Sequence, residues 1–236
     1  MTMSARAYCA FVIAAGVAIL CWSIPRTHFE SPSRFAVYIL CAALLATFKL
    51  RMPGMRATIS GGSLVIFASM CQMTFGETVL IAAVSALSQC LWRSRTDPRW
   101  VQVTFSVATL IVSSAVTRYL CEAVAALTGL GGGTGVMFLE AAMFYVVNTS
   151  LIAAVLAVTE LRPPLDIWRR LYMGTFPHYL ALALVGGALS RALDGANWAV
   201  LLAAMPLAYA VNYQRLRAQS VLSAGSFPEC DRFNSE

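Results

Sequence analysis

Charge is scarce in this sequence: Asp, Glu, Lys and Arg make up 12% of its 236 residues, against roughly a quarter in ordinary soluble domains. Histidine is scarcer still, with only His28 and His178. There is no C-x-x-C pair, no H-E-x-x-H and no basic run longer than two residues. Each absence removes a class of function. Without clustered His or Cys the sequence offers no metal centre, and no cofactor is implied. Without a nucleophile, a base and an orienting group in reach of one another, enzyme activity is not expected. Without clustered cations a nucleic-acid surface is not expected either.

What is abundant is apolar surface: 59% of the residues are hydrophobic and the mean hydropathy is +0.71. Eight apolar stretches are separated by short charged or Gly/Pro-bearing loops. A bilayer core of about 30 Å forces each crossing segment to satisfy its own backbone, and the stretches lack the alternation of barrel strands. The expected fold is therefore all-α, a polytopic transmembrane helical bundle of about eight segments, with six to eight as the range. The spans are placed at Tyr8–Ile24, Phe35–Leu50, Ala57–Met73, Glu77–Trp92, Trp100–Leu120, Gly135–Thr159, Phe176–Leu193 and Asn197–Asn212. Only Thr74-Phe75-Gly76-Glu77 divides the third from the fourth, so that pair is either two crossings or a re-entrant hairpin.

With eight crossings the basic residues fall unevenly on the two faces. Thirteen of the 17 lie on the side of both termini, leaving Arg26, Arg34, Arg118 and Arg191 on the other. The positive-inside rule then places both termini in the cytoplasm, and membrane lipids account for the formal charge of +6. Residues 1–213 read as one membrane domain, and 214–236 as a short cytoplasmic tail too polar and too short for a core. The first segment lacks a small-residue cleavage site and is read as a helix. Pro163 to Tyr172 reads as a short interfacial helix, with prolines at its start and Trp168, Tyr172, Arg169 and Arg170 at headgroup depth. The seven cysteines stand singly in apolar surroundings, as small hydrophobes. The glycine-rich loop from Gly129 to Gly135 lacks the Lys-Ser/Thr and the preceding strand of a phosphate loop.

Ionisable groups inside a membrane are costly, so each is a candidate for function. Glu77, Arg118, Glu122, Glu140 and Arg191 fall at one depth, near the outer ends of their spans. Brought together they would form a mixed-charge site for a small polar or zwitterionic ligand. The structural alternative is an ordinary Arg118–Glu122 helical pair with the remaining charges reaching the headgroups. Gln102, Ser106, Thr109, Ser113 and Thr117 share one face of span five, either for close helix contact or as a polar lining. Tyr145, Asn148 and Thr149 share a face of span six, where an amide needs a partner, and Ser85 with Gln89 makes a similar patch in span four. This reads equally as an interhelical network or a ligand contact. His178 is either a pH sensor or an interfacial anchor.

Several segments resemble a known family: Ser63 to Phe67, Phe75 to Val79, Gln89 to Trp92, Val101 to Phe105, Tyr145 to Thr149, Ile167 to Arg170 and Phe176 to Tyr179. Together they resemble the multi-helix membrane sensor regions that precede GGDEF or HD-GYP output domains in bacterial cyclic-di-GMP signalling proteins. The likeness runs roughly from Phe35 to Arg217, with Ser106 standing where the family has Asn. It implies a multi-pass protein of the bacterial inner membrane that binds a small external ligand and signals to a separate cytoplasmic effector, here without the output domain, and with a homodimer as a possible assembly. The alternative is a substrate-binding subunit resembling those of energy-coupling-factor transporters, docked on an ATPase and a coupling subunit through small-residue contacts such as Ala82-Ala83 and Ala203-Ala204.

Overall fold

The computed structural model describes residues 3–47, 49–51, 58–92, 100–129 and 134–193. The eighth expected span and the tail lie outside the described residues. Long apolar segments become helices because helix is the cheapest way to pair every backbone group away from water. The order is α1 (Met3–Ser23), α2 (Pro32–Leu45), β1 (Lys49–Arg51), β2 (Thr58–Ser60), α3 (Gly62–Gln72), α4 (Phe75–Leu91), α5 (Trp100–Thr128), α6 (Thr134–Glu160), α7 (Pro164–Tyr172) and α8 (Phe176–Leu193). Proline opens α2 and α7, where its missing N–H costs nothing.

Among the described residues, three helical stretches are long and apolar enough to cross a membrane: Met3–Arg26, Trp100–Thr128 and Gly135–Glu160. The protein is accordingly helical and of membrane type. Shorter apolar helices accompany them, and α3 is the shortest of these at 11 residues. At 1.5 Å per residue α3 is about 16 Å long, half the hydrocarbon thickness. The expected third span, Ala57–Met73, therefore divides. Its first part is β2, which pairs antiparallel with β1 in the register Lys49↔Ser60, Leu50↔Ile59 and Arg51↔Thr58. The β-branched Thr58 and Ile59, stopped by Gly61-Gly62, favour strand over helix. The second span is shortened in the same way, ending as helix at Leu45 rather than Leu50.

Apolar clusters among the described residues hold the helices together. Ile66, Phe67 and Met70 of α3 meet Ala82 of α4, Ala141 and Phe144 of α6 and Ala183 of α8. Val79 and Ala83 of α4 meet Ile111 of α5, with Ile19 and Leu20 of α1 against them. Ala153 and Ala157 of α6 carry Ile167 of α7. Small residues allow the closest crossings: a Cβ on Gly16 would lie 2.7 Å from Ala108 Cβ, and one on Gly186 2.9 Å from Leu64 O. These set α1 on α5 and α8 on α3. The hydroxyl stripe of α5 is buried at Thr109, Ser113 and Thr117, while Gln102 is exposed. Ser113 donates to its own helix at Thr109 O, 2.7 Å away. Thr109 Oγ1 and Thr117 Oγ1 are buried without a partner among the described residues.

Candidate functional site

The last turn of α3 is where the helices are tied. Three consecutive residues there each reach a different neighbour. The Met70 carbonyl accepts from Arg118 Nη1 of α5 at 2.8 Å, and the same nitrogen donates to Met73 O at 3.4 Å. The Cys71 thiol lies 3.9 Å from Glu140 Oε2 of α6, to which it donates. The Gln72 side-chain carbonyl accepts from Arg34 Nη2 and, at 3.0 Å, from the Tyr38 hydroxyl, both of α2. A helix ends with carbonyls that no turn of its own can satisfy, and in a low-dielectric site a cation is a strong partner for them.

Arg118 also donates through Nε to Glu122 Oε1 at 2.6 Å, the expected i,i+4 pair. The two side chains are 24% and 57% exposed, so this pair sits at the rim. Glu140 is 6% exposed and lies within the electrostatic reach of Arg118. Its one hydrogen bond among the described residues is the thiol. A buried carboxylate with a thiol donor and a cation near it keeps most of its acceptor capacity open.

Glu77 has a different job. It is 1% exposed and closes a capping box at the start of α4. Its Oε2 accepts from Thr74 N and Thr74 Oγ1, each at 2.9 Å, and its own N–H donates to Thr74 Oγ1 at 3.4 Å. Oε1 is buried with no hydrogen-bond partner among the described residues. Arg118 thus satisfies the carbonyls ending α3 while Glu77 satisfies the amides opening α4, two sides of one turn. Arg191 lies in the last turn of α8, and its side chain is outside the described residues.

Tyr145 and Asn148 belong to a second group, around α7 and α8. Tyr145 donates to Tyr172 O at 2.7 Å, and Asn148 Nδ2 donates to the Tyr179 hydroxyl at 3.2 Å. Asn148 therefore finds its partner on α8. Thr149 donates to Tyr145 O at 2.6 Å and accepts from Trp168 Nε1 at 2.8 Å, which pins α7 to α6. The ring of Tyr145 packs on Trp168, Phe176 and Tyr179, with centroids 5.7, 5.1 and 5.4 Å away. Burial, with the Tyr179 phenol adding to it, pushes the Tyr172 phenol up to about 12, so it stays neutral. Among the described residues Asn148 Oδ1 and His178 Nδ1 are buried with no hydrogen-bond partner.

Of the seven candidate residues, Arg118, Glu122 and Glu140 come together. Glu77 is turned to its own helix cap, and Tyr145 and Asn148 serve a separate junction. Sequence reading passed over Cys71, Gln72, Arg34 and Tyr38; the i,i+4 spacing of Arg34 and Tyr38 was the one available signal. The fold and this junction define a helical protein with membrane-length apolar helices and a polar tie at the end of a short one. The chain matches no family model, no curated protein and no solved structure.

Proposed function

We propose that this chain is a sensory module of the bacterial inner membrane, multi-pass with both termini cytoplasmic, that takes a small polar ligand from the external side. The observation that carries the reading is the tie at the end of α3. One turn is bonded to α2, α5 and α6 through Gln72, Met70 and Cys71. A zwitterionic ligand offers both charges such a site can exchange: its ammonium takes the open oxygens of Glu140, and its anionic group competes with the Met70 carbonyl for Arg118. Either exchange loosens α3. Because α3 packs along α8, with Leu64 O close to Gly186, its movement passes to the helix that leads toward the C-terminus. A ligand shifts such an equilibrium only by its differential affinity for the two arrangements. The signal then goes to a separate cytoplasmic partner, the role the family resemblance implies.

The test is a stability screen of the protein in lipid nanodiscs against small ammonium-bearing zwitterions, with Glu140→Gln in parallel. The expected result is a rise in melting temperature for wild type with a subset of compounds and none for Glu140→Gln. Equal stabilisation of both forms would remove Glu140 from the site. Saturable uptake of the same compound into cells would replace sensing with transport, and stabilisation by no compound would leave a structural membrane protein.

A further inference from the structure

A second polar site lies at the other end of α6. Where α6 turns into α7, four exposed charged residues, Glu160, Arg162, Asp166 and Arg170, line a shallow surface cavity of about 220 Å³ whose floor includes the buried Ile167. Two of these charges are positive and two negative. Among the described residues none of the four is paired with another, although Asp166 and Arg170 stand at the i,i+4 spacing that usually closes a bridge. The backbone turns sharply at this point. Leu161 takes a left-handed conformation at φ 54°, which a leucine adopts only at a cost, and Arg162 N–H closes back on Ala157 O at 3.2 Å. That turn leaves Leu161, next in sequence to two of the lining residues, 83% exposed. Charges of both signs around a cavity, with an exposed leucine on the same turn, match a molecule with a zwitterionic head and an apolar body.

We propose that this cavity binds the headgroup of a phospholipid carrying a phosphodiester and a primary ammonium, the phosphatidylethanolamine type. Arg162 and Arg170 take the phosphate oxygens; Glu160 and Asp166 take the ammonium N–H donors; the exposed Leu161 side chain lies along the acyl chains. The depth fits, since α7 carries Trp168 against α6 and exposes Arg169 and Arg170, as an interfacial helix does. A purely anionic lipid leaves the two carboxylates facing a negative head, and a choline head lacks N–H donors for them. The inference rests on the membrane placement of the chain and is independent of the ligand site at α3.

The experiment is native mass spectrometry of the full chain released from nanodiscs containing equal phosphatidylethanolamine, phosphatidylcholine and phosphatidylglycerol. Wild type should retain the ethanolamine lipid over the other two by roughly tenfold; the arginines meet a phosphate in all three lipids, so the preference comes from charge-assisted bonds between the ammonium and the two carboxylates. Arg162→Gln with Arg170→Gln should abolish that retention while Trp168 emission, reporting docked α7, stays unchanged. Glu160→Gln alone should move the preference toward phosphatidylglycerol. Equal or greater retention of phosphatidylglycerol by wild type would overturn the proposal, as would unchanged retention in the double variant. Displacement of the lipid by equimolar soluble phosphoethanolamine would mean a site for a water-soluble compound and would overturn it too.

Discussion

Replacing Arg118 by methionine separates two roles that a simple ion-pair view merges. Methionine keeps an apolar stem of similar length and removes every donor. What is lost toward α3 is one good charge-assisted bond, 2.8 Å to Met70 O, and one long one, 3.4 Å to Met73 O. Both residues are buried, at 3% and 6% exposure, so their carbonyls cannot turn to water. A hydrogen bond to a charged group in such a place contributes about 2 kcal/mol, more when its partner is left unsatisfied. The bond to Glu122 ends on a side chain that is 57% exposed, and screening holds its contribution under about 0.5 kcal/mol. Arg118→Met should therefore cost about 2 kcal/mol, Glu122→Gln under about 0.5, and the double variant no more than Arg118→Met alone. Equilibrium unfolding in mixed micelles, followed by tryptophan emission, gives all three. Equal losses for the two single variants would show that Arg118 acts through the ion pair, and the account of α3 would fail.

Other parts of the bundle give independent tests. Gly16→Ala places a Cβ 2.7 Å from Ala108 Cβ and 2.8 Å from Ala108 Cα, backbone that cannot swing away; α1 must lift from α5, and thermal unfolding should show a loss of about 1–3 kcal/mol. Phe144→Ala empties a fully buried position beside Phe67, whose ring centroid is 5.2 Å away, and should cost about 3–5 kcal/mol in the same assay. Trp168→Phe keeps an aromatic ring, though a smaller one, and loses the 2.8 Å indole N–H bond to Thr149, so hydrogen exchange should rise across α7 by the equivalent of about 1 kcal/mol or more while α6 stays protected. Glu77→Ala opens the capping box and should cost about 1 kcal/mol, read as fraying of the first turn of α4.

The helices themselves were legible, because the length of an apolar run sets both the need for internal hydrogen bonding and the element that meets it. Span five and α5 share their start at Trp100, and span six and α6 begin within a residue of one another. The third span misled because Ala57 to Ser60 is apolar enough to extend the run, while its β-branched pair and the two glycines after it act locally to form a strand. Glu77 shows a second kind of signal. Thr74-x-x-Glu77 is the capping-box spacing, so its part in opening α4 is legible in the sequence alongside its place at membrane depth. Arg118 shows the opposite limit. Its bond to Glu122 follows from spacing along one helix, whereas its bond to Met70 O depends on where α3 ends against α5. The shared face of Tyr145, Asn148 and Thr149 was likewise visible, and their partners on α7 and α8 were not, because docking of those helices decides them.

The central claim, that this bundle senses and passes a signal to a cytoplasmic partner, is tested most directly by cross-linking the full-length chain in native membranes and identifying what is joined to it. The account predicts a cyclic-dinucleotide cyclase, a phosphodiesterase or a kinase, joined in a yield that changes when Glu140 is replaced by Gln. Recovery of an ATPase together with a coupling membrane protein, in a yield indifferent to Glu140, would contradict it and make the chain a transporter subunit.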